Sequence, residues 1–160
     1  MTDFGRLLSI LADSHVRFII IGGFAATAHG SAFLTVDLDV VYDRSEDNIE
    51  RLASALAPLS PYLRGAPGGL PFRLDASTLA RGLNFTLSTA AGDLDLLGEA
   101  VGGGTYEALL SHTEPRRVLG VECLFVDLDT LIRLKRAAGR PKDLERIAEL
   151  EALRAERDSE

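Results

Sequence analysis

Phe4, Leu7, Leu8 and Leu11 recur at the three- and four-residue spacing of one helical face, with Asp3 where an N-cap belongs. The run Val16 to Ile21 is instead apolar at every position but Arg17 and largely β-branched, the pattern of a strand buried on both faces. Gly22 and Gly23 interrupt it. Phe24 to His29 then reads as a short helix closed by Gly30, with His29 packing at the helix end, and Val36 to Tyr42 reads as the next strand. Ser45 is placed to cap a helix whose apolar positions are Ile49, Leu52, Ala53 and Leu56. Residues 58–71 hold four of the six prolines and three glycines, which predicts a loop excursion. A helical turn over 75–81 follows. Two hairpins come next, Asn84–Thr89 with Leu94–Leu97 across Ala91–Gly92, and Arg117–Leu119 with Val121–Val126 across Gly120. Asp127–Ala138 and Pro141–Arg154 read as closing helices, Pro141 standing at a first helical position.

This order of elements predicts an α/β (α+β) class: a small mixed β-sheet core, flanking helices and two C-terminal helices, in one domain spanning residues 1–160. No period of 20–50 residues is visible, so solenoids and propellers are excluded. At 46% hydrophobic and 26% charged residues, the chain has the balance of an ordinary globular domain. A single cysteine, Cys123, excludes an internal disulfide and a cysteine-based zinc site, and fits a reducing compartment. The longest apolar run stops at Gly22, far short of the ~20 residues a membrane span requires. Asp3 and Arg6 argue against a signal peptide. A cytoplasmic protein without membrane contact is the expectation.

The net charge of −7 disfavours broad binding to nucleic acid or anionic membranes. Five basic residues between Arg133 and Lys142, with no acidic one among them, form a local exception. They suit a small anionic ligand, one contact with a larger one, or a solvated helix face. The sharper signal is Asp37-Leu38-Asp39 after the Gly22–Gly23 break. Residues two apart on a strand share a face, so both carboxylates converge on one spot. Two such anions are costly together unless a cation lies between them or one takes a proton. Mg²⁺ held by two carboxylates and phosphate oxygens resolves that conflict. The glycines allow a sharp turn and close backbone approach to a ligand.

The stretch Ile20-Ile-Gly-Gly-Phe-Ala-Ala, followed by Thr35-Val-Asp-Leu-Asp-Val-Val, resembles the signature of the polymerase-β-like nucleotidyltransferase superfamily. With Lys135 and Gly139-Arg-Pro-Lys-Asp143, the chain is similar over about residues 15–150 to stand-alone bacterial nucleotidyltransferases related to abortive-infection (AbiEii-like) toxins. The resemblance implies transfer of a nucleoside monophosphate from an NTP to a hydroxyl of RNA, a protein or a small alcohol, in a toxin-like role. Mg²⁺ or Mn²⁺ is the implied cofactor. Asp37 and Asp39 would be its ligands, with a third carboxylate on a later strand. Asp95, between Leu94 and Leu96, has the expected apolar–Asp–apolar form and would serve as metal ligand or general base. Asp93, directly after Gly92, is expected to end the hairpin.

By the same resemblance, Gly22 and Gly23 would form the phosphate turn, and Lys135 would aim at the triphosphate beside Arg140 and Lys142. Asp143 would hold Lys135 or Arg140, or cap the last helix. The chain departs from its relatives in carrying Phe33 and Leu34 where they often have a basic residue, so that contact would be missing or supplied elsewhere, by Arg44 or Arg73. Two other uses of Asp-x-Asp fit less well. Phosphatases with an aspartyl nucleophile follow the pair with Gly or Thr, unlike Val40-Val41-Tyr42, and a glycosyltransferase needs a longer chain. The alternative of another class is a nucleotidyltransferase-fold binding module, weak or inactive as a catalyst, acting through a partner protein in an antitoxin-like or regulatory role.

Overall fold

Alternation along three strands gives one half of a central sheet an apolar face and a polar face. In the computed structural model, which describes residues 1–160, the first half of the chain forms α1 (Phe4–Asp13), β1 (Phe18–Ile21), α2 (Gly22–Ala28), β2 (Asp37–Tyr42), α3 (Glu46–Leu56), a 3-10 turn (Ala57–Leu59) and β3 (Tyr62–Leu63). There follow α4 (Ala76–Arg81), β4 (Phe85–Thr89), β5 (Gly92–Leu97), β6 (Glu99–Ala100), β7 (Gly104–Thr105), α5 (Tyr106–Leu110), β8 (Thr113–Val118) and β9 (Val121–Val126). α6 (Leu128–Ala138) and α7 (Pro141–Asp158) close the fold. Seven strands form a mixed sheet in the order β3-β4-β5-β2-β1-β9-β8, and β6 and β7 form a separate ribbon. The β2–β5 and β1–β9 pairs are parallel, and all other neighbours are antiparallel. The α+β class is as expected.

Leu38 and Val40 of β2, Leu87 of β4, and Leu94 and Leu96 of β5 are all buried on one face. They belong to one core cluster with Leu7, Leu8 and Leu11 of α1 and Ile49, Leu52 and Leu56 of α3. Each such side chain contributes about 1.5–3 kcal/mol on burial. A one-residue slip of β2 or β5 would turn these residues out and bring aspartates in. α2 packs on β2 and α6, and α6 on α7. Asp3 and Asp127 cap α1 and α6, accepting from the backbone N–H groups of Arg6 and Thr130. No helix is long and apolar enough to cross a membrane.

Several local expectations change. α2 begins at Gly22, because the glycines themselves form its first turn. Asp93 does not end the hairpin but lies within β5, where pairing with Asp37 extends the strand back to Gly92. β8 starts four residues before Arg117, with Pro115 tolerated because this is an edge strand. Residues 58–71 include β3, the opposite edge. The β6–β7 ribbon and α5 are too short to show a period in sequence.

Ser45 occupies the N-cap position of α3 but makes no capping bond. Its hydroxyl instead donates to Asp43 and Asp47 and accepts from Arg17. Beneath this group Asn48, fully buried, ties α3 to the start of β1. It accepts from Arg17 N (2.7 Å) and donates to the carbonyls of Arg17 (3.1 Å) and Asp43 (2.7 Å). Replacing it removes a partner from three backbone groups and leaves the Arg17 carbonyl only the Asp43 N–H at 3.2 Å. Asn48→Ala is expected to cost about 2–4 kcal/mol in urea unfolding, and a loss below about 0.5 kcal/mol would show that α3 is held by its apolar stripe alone.

Candidate active site

The polar face of the same strands carries the acidic residues. Parallel pairing sets Asp37 opposite Asp93 and Asp39 opposite Asp95, so four aspartates stand in two rows on one face. Asp37, Asp39 and Asp95 each present a carboxylate oxygen within 4.8 Å of the others. Gly22, with φ +69°, makes this possible: a Cβ there would collide with the Asp39 carboxylate. A Cβ on Gly23 would lie 2.7 Å from Thr35 Oγ1. The space in front of both glycines is thus filled by the protein's own side chains, and the pair is fixed by internal packing as well as by its place at the site.

Asp39 is the most perturbed member. Burial, then the negative charges of Asp37 and Asp95, raise its pKa from 3.8 to about 8, partly countered by Lys135. Its Oδ1 is buried without a hydrogen-bond partner. A close trio of carboxylates with one unsatisfied oxygen is an oxygen-rich donor set of the kind that hard divalent cations select. The residues therefore fit the metal role expected for them.

Positive charge reaches the cluster from two directions. Arg64, one residue past β3, donates from Nη2 to Asp95 Oδ1 (2.7 Å) and approaches Asp37 and Asp93 at 3.7 and 3.5 Å. On the other side Lys135 of α6 is only 7% exposed. Burial lowers its pKa, while Asp143, 4.0 Å away, opposes that shift. Asp143 is itself fully buried. Burial pushes its pKa upward, but hydrogen bonds from the Arg140 side chain and backbone prevail and hold it below the usual range. Asp143 thus performs both roles open to it in the sequence, anchoring Lys135 and Arg140 and completing a capping box at the start of α7.

A cavity of about 460 Å³ joins these parts. Gly22, Asp39, Asp95, Lys135 and Arg140 line it together with the apolar side chains of Phe85, Leu97, Val101, Leu131 and Leu134. Lys142 is exposed, as are Arg133 and Arg136, the latter paired with Glu151. Neither arginine expected to replace the missing basic residue serves the site. Arg44 is committed to Tyr42 Oη and to the carbonyls of Leu79 and Ala80, and Arg73 lines a separate depression. His29 packs at its helix end against the Val126 carbonyl at 2.8 Å. The residue missed in sequence is Arg64. It stands in a Pro/Gly-rich segment, and only the two-residue strand Tyr62–Leu63 before it could have marked it as part of the sheet.

This mixed sheet carries an acidic centre at the ends of β1, β2 and β5. No protein-family model matches the sequence, and no curated protein does. Among solved structures, the fold matches that of a Thermotoga maritima protein described as a "putative nucleotidyltransferase", with a TM-score of 0.51 over 97% of this chain and 90% of that one. The two are 12% identical, so the likeness establishes the fold.

A pKa raised in the folded state makes the protonated form of Asp39 favour folding. That contribution is full below about pH 4 and is lost as pH rises through about 8. Asparagine mimics the protonated acid without ionising. Asp39→Asn is therefore expected to melt above wild type near pH 8.5, in the absence of divalent cations, and close to it near pH 4. Thermal unfolding at the two pH values checks this, and an equal difference at both would disprove the burial argument.

Proposed function

We propose that the chain is a metal-dependent nucleotidyltransferase that moves a nucleoside monophosphate from an NTP to a hydroxyl acceptor. One observation carries this reading: Asp39, Asp95 and the buried Lys135 open on a single cavity with an apolar wall. Asp37, Asp39 and Asp95 would hold Mg²⁺ or Mn²⁺. Such an ion, when bound, supplies charge to phosphate oxygens and lowers the pKa of an attacking hydroxyl. The chain's own residues do the rest. Lys135, with Arg140 beside it, neutralises the phosphates, and Asp143 keeps both cations in place. The apolar wall accepts the base and excludes water from the reacting end. The acceptor oxygen bonds to the α-phosphorus while the bond to the bridging oxygen breaks. Pyrophosphate leaves with that electron pair, and the hydroxyl proton passes to a carboxylate of the cluster.

The acceptor class is RNA, a protein or a small alcohol, in a toxin-like role. Incubation with each labelled NTP, Mg²⁺ and pools of RNA or protein tests the activity, with Asp39→Asn as control. Label that appears equally with the control overturns it. A second reading, a binding module acting through a partner protein, draws on Leu34 and Val36, which are 90% and 71% exposed immediately before Asp37. Complete absence of transfer with intact nucleotide binding would favour that reading.

Lys135 separates from its neighbours in the same terms. Lys135→Ala is expected to raise the nucleotide Kd about 5- to 150-fold, the equivalent of about 1–3 kcal/mol for a charge-assisted contact. Arg133→Ala and Arg136→Ala, altering exposed side chains, should stay within about twofold. A larger loss in either arginine variant would place the phosphates elsewhere.

A further inference from the structure

Arg146 on α7 stands beside the candidate site without a carboxylate of its own. Arg140 at the start of the helix pairs with Asp143, and Arg154 further along pairs with Asp129, but Arg146 forms no ion pair and no hydrogen bond. Glu149, one turn away, is already engaged, accepting from the Ser31 hydroxyl and from the Ala32 N–H at 2.9 Å. What holds Arg146 is an aromatic ring. Its guanidinium carbon lies 5.3 Å from the centre of the Phe33 ring. A guanidinium resting its face on a ring keeps its N–H donors, which lie in its plane, free at the edge.

Arg146 shares a narrow crevice with Gly23, Phe33 and Lys135. The crevice encloses about 10 Å³, room for no more than a single water, so a larger anion would bridge the two cations from outside it. Lys135 also lines the cavity that holds Asp39 and Asp95, whereas Arg146 does not. The order leading away from the carboxylates is therefore Lys135 and then Arg146. Both Arg146 and Arg140 act on the Lys135 ammonium as like charges, and Asp143, 4.0 Å from it, chiefly opposes them. Such an excess of positive charge suits a polyanion.

We propose that Arg146, seated on Phe33, binds the terminal phosphate of the NTP and makes the site selective for triphosphates over mono- and diphosphates. This inference rests on the nucleotidyltransferase reading above and deepens it. With the α-phosphorus at the carboxylates, where the acceptor attacks, the next phosphate meets Lys135 and the last one meets Arg146. That last phosphate carries about two negative charges near neutral pH, on oxygens that match a free fork of N–H donors. A monophosphate ends before reaching Arg146, and is left with Lys135 and Arg140, which already share Asp143.

Titration calorimetry on the full chain with Mg²⁺ tests this with each NTP and the matching NDP and NMP. Wild type is expected to prefer the triphosphate. Arg146→Gln should weaken NTP binding about 10- to 100-fold and leave NDP and NMP within about twofold, so that the preference collapses. Phe33→Leu, which removes the ring and keeps an apolar side chain, should shift NTP binding the same way by less. Equal affinity of wild type for the three forms overturns the inference. So does an unchanged NTP affinity in Arg146→Gln, or a loss shared equally by NTP, NDP and NMP, which would mark Arg146 as support for the fold. Unchanged NTP affinity in Phe33→Leu overturns the seating on the ring. Wild type that binds no nucleotide overturns the nucleotidyltransferase reading itself, and the inference with it.

Discussion

The parallel pairing of β2 with β5 is the constraint on which the rest depends. One register places Leu38 opposite Leu94 and Val40 opposite Leu96 on the core face, and Asp37 opposite Asp93 and Asp39 opposite Asp95 on the other. The apolar rows are fully or nearly fully buried, and their burial fixes the register. The same hydrophobic energy therefore forces four carboxylates together, although the carboxylates themselves oppose it. The site is assembled by the core.

Such an arrangement is stable only if its charge is managed, and each surrounding element contributes to that. Arg64 brings a guanidinium along the sheet from the β3 edge, and Lys135 brings an ammonium from α6. The remaining conflict shows at Asp39, whose pKa burial and then the charges of Asp37 and Asp95 push up to about 8. Lys135 in turn could not be buried alone, and the fully buried Asp143 is its counter-charge, itself held by Arg140 at the start of α7. A chain of alternating charge thus runs from the sheet edge through the carboxylates to the last helix. Gly22 admits Asp39 to this chain by having no side chain of its own.

The periodicity of α1, α3, α6 and α7 and the alternation of β2, β4 and β5 were readable from the chain, because each repeats the geometry of its own backbone over several residues. Asp37, Asp39 and Asp95 could be picked out for the same reason, each lying between apolar residues that reveal a strand. The cationic stretch from Arg133 to Lys142 stood out by composition. Asp93 was misread because a residue next to Gly92 carries a local turn signal, and only pairing with Asp37 shows that the strand extends through it.

What the sequence by itself determined is therefore the set of elements, the apolar face of each and the carboxylates that alternate with it. Tertiary structure alone decided which carboxylates meet, that burial and acidic neighbours push the Asp39 pKa up, and that Arg64 rather than Arg44 or Arg73 balances them. The reason is physical. Periodicity is a property of neighbours along the chain. Charge balance depends on distance in space, and Arg64 reaches Asp95, 31 residues away, through a strand of only two residues.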